Sequence, residues 1–226
     1  MRSRRFLYEN GLTLFFGAIF LGALVLQAIA GYAVFNEDQV EHLSPEVGFL
    51  RFVTSSAFAS AVMENWQSEY LQFTLYILLT IWLLQRGSPE SKELGEESRE
   101  SDRDQKLREH AETGSPAWAK VGGLRTLVFS NSLLFVMGAI WVASWLAQSI
   151  TGVGEYNAER LEHERAAISW LNYLGTANFW EKTLQNWQSE FLAVGAMGIL
   201  SVYLRQRGSP ESKPVGAPHD ATGVSG

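Results

Sequence analysis

The chain of 226 residues has a formal net charge of −6 and no cysteine, which excludes disulfides and thiolate chemistry and gives no attraction to nucleic acid. Its 46% hydrophobic content averages over two materials, long uncharged runs and charged connecting segments.

The first run follows the basic MRSRR, and from Gly11 to Phe35 it carries no charge over 25 residues. About 20 residues of helix cross a hydrocarbon core of ~30 Å, so a transmembrane helix is expected at about 11–34. Ala28-Ile29-Ala30 before Gly31 has the small-x-small form of a signal-peptidase site. The apolar region is too long for a signal peptide, however, and its like recurs inside the chain, which argues for retention.

An acidic loop comes next. In it Asp38, Glu41 and His42 would share one helical face, as would Glu159, Glu162 and His163 later. Such a set is a weak candidate for a divalent metal, and a solvated acidic helix is the favoured reading because no compact four-ligand pattern closes the site. Thr54 or Ser55 could cap a second helix, whose span is expected at about 65–85. It opens on NWQSE (65–69) and stops at Gln85-Arg86-Gly87-Ser88-Pro89, where glycine and then proline end a helix. Residues 93–125 form a mixed-charge linker. Further spans are expected at about 127–153 and 186–206, with a disordered tail at 214–226.

The second half repeats the first. NWQSEYL at 65–71 and NWQSEFL at 186–192 align at an offset of 121, as do QRGSPESK at 85–92 and 206–213. The expected fold is an all-α integral membrane protein. Its four transmembrane helices would form two tandem parallel two-helix repeats, 5–92 and 126–213, with pseudo-two-fold symmetry and short helices in the loops. The N-terminus, residues 86–125 and the tail hold 14 of the 18 Lys and Arg, which predicts cytoplasmic N- and C-termini and a cytoplasmic linker.

ENWQSE before a helix, QRGSPESK after it and the two-fold layout together resemble a bacterial integral membrane protein family grouped only as a domain of unknown function. The resemblance covers nearly the whole chain. QRGSPESKPV in the second half is its most specific part, and the first half departs from it with Glu93 where the second has Pro214. It implies a multi-pass helical protein of the bacterial plasma (inner) membrane, and no activity.

Two sets of residues are singled out. The polar cluster comprises Asn65, Trp66, Gln67, Glu69, Asn186, Trp187, Gln188 and Glu190, in which Asn65 and Glu69 share a helical face. It would either attract a cation or polar solute, or supply interfacial aromatics and interhelical hydrogen bonds, and the second reading is favoured. The other set, Arg86, Glu90, Lys92, Arg207, Glu211 and Lys213, lies beyond what helix termination needs and is a candidate cytoplasmic contact.

No glycine-rich phosphate loop, triad spacing or HExxH helix is visible, so neither a cofactor nor catalysis is expected. The leading expectation is a non-enzymatic structural, accessory or interaction protein. Its partners would be the lipid bilayer and a protein or a second copy, and not nucleic acid. A cation or polar-solute channel or transporter stands second, and an intramembrane enzyme third.

Overall fold

The computed structural model describes residues 2–226, with side chains from Arg5 onward. Among the described residues all regular structure is helical. In chain order the α-helices are α1 (Arg2–Glu9), α2 (Gly11–Glu41), α3 (Phe49–Val53), α4 (Ser56–Leu79), α5 (Ala117–Val121), α6 (Gly123–Ser130), α7 (Ser132–Glu162), α8 (Trp170–Tyr173) and α9 (Ala177–Tyr203). A 3-10 turn, Arg108–His110, lies in the linker. Both α2 and α7 have 31 residues, and they begin 121 positions apart.

Among the described residues two helices, not four, are long and apolar enough to cross a membrane, namely α2 and α7. The expected four-span bundle of two symmetric repeats is corrected on that finding, and the reason lies in α4 and α9. The expected span at 65–85 fails because α4 ends at Leu79, where Trp82 and Leu83 bond back to the Leu79 carbonyl and Ile81–Leu84 leave the helix. Charge-free helix then runs only from Tyr70 to Leu79, roughly 15 Å at 1.5 Å per residue. In α9 the charge-free part is Phe191–Tyr203, roughly 20 Å, which is also short of the hydrocarbon thickness.

The most apolar window of α2 is only 6% buried, and Leu12, Phe15, Phe16 and Leu26 are exposed. A helix apolar all round belongs in a protein core or in lipid. This one has no core around it.

The chain divides into two compact units, the residues up to Val62 with Gln148–Tyr173, and Met63–Ala147 with Leu174–Gly226. In the first unit Asn36 holds the loop backbone at Val47 through both amide atoms (3.1 and 2.8 Å), and Asn157 holds Ile168 in the same way (2.9 and 2.8 Å). The loop folds back so that Phe52 reaches the α-carbon of Gly31, where a β-carbon would lie 3.1 Å from the ring. Tyr173 takes the matching place at Gly152, and its buried ring also meets Tyr156. The second unit holds a cluster of aromatic rings around buried Phe179. Trp145 stacks on Trp141 and meets Phe179, Trp180 and Trp187 at ring-centre distances of 6.1 to 6.2 Å.

Candidate functional site

Both NWQSE segments lie in the second unit, on α4 and α9, and they touch asymmetrically. The Trp187 indole donates to the Gln67 carbonyl oxygen at 2.8 Å. Gln67 is fully buried, and its own amide donates to the Glu64 carbonyl at 3.1 Å. Around this clasp Lys182 pairs with Glu64 at 3.3 Å, and the Gln72 amide donates to the Glu190 backbone carbonyl at 3.3 Å. A buried amide with both ends engaged is a strong registering contact, since an orphaned partner would bear its whole desolvation cost.

The other cluster members are arranged differently. Asn186 bonds back to the Lys182 carbonyl at 2.9 Å, and Trp66 packs on Tyr70. Asn65, Glu69 and Gln188 are exposed. Burial, and then the charge of Glu69, hold the Glu190 carboxyl above its ordinary range. The cluster is therefore divided between a buried clasp and an exposed acidic edge.

The two QRGSPESK segments form the same turn. Ser91 Oγ accepts from the Gln85 amide at 3.0 Å and Ser212 Oγ from that of Gln206 at 2.9 Å. Ser88 and Ser209 accept from the amides of Glu90 and Glu211, both at 3.3 Å. Arg86 and Arg207 are exposed. Lys92 turns to the linker, donating to the Ser98 carbonyl at 2.7 Å and pairing with Glu100 at 2.8 Å. Lys213 is buried, and its ammonium donates to the carbonyls of Pro218, His219 and Ala221 at 3.2, 2.8 and 3.2 Å.

The segment after Lys213, expected from its composition to be disordered, bonds to both motifs. The Gly87 amide donates to Thr222 Oγ1 at 2.8 Å, the Gly223 amide to the Ser88 carbonyl at 3.0 Å and the Gly226 amide to the Ser212 carbonyl at 2.7 Å. The two motif acids also meet. Tyr76 donates its hydroxyl to Glu90, and the Glu90 carboxyl raises that of Glu211 by hydrogen bonding and charge.

In the first unit Asp38, His42, Glu155, Glu159, Glu162 and His163 line one cavity of about 550 Å³ at the C-terminal ends of α2 and α7. Glu41 is exposed beside it. His42 and His163 each spend Nδ1 on a carbonyl of their own helix, Asp38 and Glu159, at 2.9 Å. Among the described residues no three acidic or imidazole groups are placed to hold a metal ion.

Sequence reasoning missed Gln72, Tyr76 and the tail residues His219 and Thr222. Only the tail gave a signal, in the polar residues His219, Asp220 and Thr222 within an otherwise small-residue stretch. Compared with known proteins, residues 3–224 match a family model described as a domain of unknown function. No curated protein and no solved structure matches the chain.

Proposed function

The chain belongs to the domain-of-unknown-function family DUF6766, and from its geometry we propose a non-enzymatic structural or accessory protein of the bacterial plasma membrane, acting through contacts with a protein partner or a second copy. One observation carries this reading. The buried glutamine of the first NWQSE is spent on the tryptophan of the second, Gln67 on Trp187, and so holds helices together rather than facing a substrate. For the location, α2 follows Arg2, Arg4 and Arg5, α7 follows Lys120 and Arg125, and both helices end in acidic residues. At α2 that polarity favours a cytoplasmic N-terminus.

A transport role is the second reading, favoured by the closeness of Glu69 and Glu190 that is felt in the Glu190 carboxyl. Flux of monovalent cations into proteoliposomes separates the two. The structural reading expects equal, background flux for the wild type and for Glu69→Gln with Glu190→Gln, while Gln67→Leu with Trp187→Phe weakens the folded state. A cation flux in the wild type that the paired Glu→Gln variant abolishes overturns it.

A further inference from the structure

A cleft of about 220 Å³ in the second unit is lined by α4 and α9. Its lining is mostly apolar, with Phe73, Ala193, Val194, Met197 and Gly198, and its polar groups are Gln72, Ser201, Tyr76, Ser88 and Glu90, of which Glu90 alone is charged. Phe73 and Met197 are 48% and 43% exposed, so the cleft opens outward beside them. We propose that this cleft binds a small amphipathic primary amine, with its ammonium at Glu90 and its hydrocarbon chain along Phe73, Val194 and Met197.

The choice of a cation follows from how the neighbouring charges are used. Each motif carries a lysine two residues beyond its acid, but Lys92 is held by Glu100 and Ser98, and Lys213 by three tail carbonyls. Glu90 is left with the Tyr76 hydroxyl as its donor and a second acid, Glu211, beside it. An anionic ligand would meet the Glu90 carboxyl at the cleft wall. A neutral one would leave the Glu90 carboxylate without a cation, and an ammonium supplies that opposite charge with a charge-assisted hydrogen bond. Apolar walls with a single charged end are the general form of an amphiphile site. This inference does not depend on the structural reading above, since a binding cleft is compatible with either role.

Hexylamine is the probe, with hexanol and hexanoate as chain-matched controls, titrated into the full-length protein in detergent by calorimetry and saturation-transfer NMR. Saturable hexylamine binding at least tenfold tighter than either control is expected. Gly198→Leu should abolish it, because Gly198 lines the cleft, a β-carbon built there meets nothing within 4 Å, and the longer side chain would fill the space. Leucine is also the better helix former, so the fold should hold. Glu90→Gln, at an exposed site outside the helices, should weaken hexylamine at least tenfold and leave hexanol unchanged. Equal binding of hexylamine and hexanol, or hexylamine binding untouched by both variants, overturns the proposal and marks the signal as micelle partitioning.

Discussion

The segments QRGSPESK at 85–92 and 206–213 are one sequence in two surroundings. Their backbones agree closely, with Gly87 at φ +83° and Gly208 at φ +81°, and with the same serine caps. Their side chains do not. Lys92 finds a carboxylate in the linker, whereas Lys213 finds a ring of carbonyls in the tail. The turn is coded locally by Gly, Ser and Pro, whose conformational limits act within a few residues. The destination of a long cationic side chain is set by whatever the chain supplies next. The NWQSE pair gives the same lesson, because Gln67 is buried against Trp187 while Gln188, its equal in sequence, is exposed.

The sharpest way to break this comparison is to place alanine at each motif glycine. Gly208→Ala should cost only the left-handed strain of about 1 kcal/mol, as open space surrounds it. Gly87→Ala should cost about 3 kcal/mol, because its β-carbon would lie 2.3 Å from the His219 carbonyl oxygen and 2.9 Å from Val202 and must displace the tail. Chemical denaturation in detergent reads the difference, and equal losses would mean that the tail does not press on Gly87.

The lysines come next. Lys213→Met should lose about 2 kcal/mol with the charged hydrogen bonds it removes, seen as faster hydrogen exchange at Gly223 and Gly226. Lys92→Met, which removes a partly exposed pair, should lose no more than about 0.5 kcal/mol. A reversed order would show that the linker, not the tail, is the firmer attachment.

At the clasp, Gln67→Leu strands the Trp187 indole N–H and should cost about 1–2 kcal/mol with a shift in tryptophan fluorescence. Gln188→Leu should stay within about 0.5 kcal/mol. Matching losses would argue that the two clusters are equivalent after all.

The smallest effect lies in the first unit. His42 should titrate above the ordinary 6.5, because its ring bonds the Asp38 carbonyl and faces the carboxylates of Asp38, Glu162 and Glu41. A raised value means that the folded chain holds this proton more tightly than the unfolded one. Its stabilising contribution is then complete below the ordinary value and fades as pH rises through the raised one. An NMR titration of the His42 ring with a midpoint at or below 6.5 contradicts that account.

Helices α2 and α7 could be read from the sequence because an uncharged run longer than a bilayer is thick has few other uses. The second helix of each half was misjudged as a span for a physical reason. Ile81–Leu84 are as apolar as the residues before them, and apolarity does not reveal that the hydrogen-bonded ladder stops at Leu79. At the candidate site the motifs were visible as repeats. The Trp187–Gln67 bond was not, because two identical strings cannot say which glutamine turns inward. Tyr76 and Gln72 stand where the two halves differ, opposite Met197 and Ala193 in the alignment, so identity between the halves does not mark them.

The Lys213 ammonium reaches carbonyls only five to eight residues further along its own chain. A loop that short costs little entropy to close, and it presents the tail to the motif at an effective concentration in the millimolar range. A peptide on a separate chain competing for the same turn would start at that disadvantage. Cutting the chain between Lys213 and Pro218 would remove the disadvantage while leaving every contact group in place, turning an internal attachment into a measurable affinity.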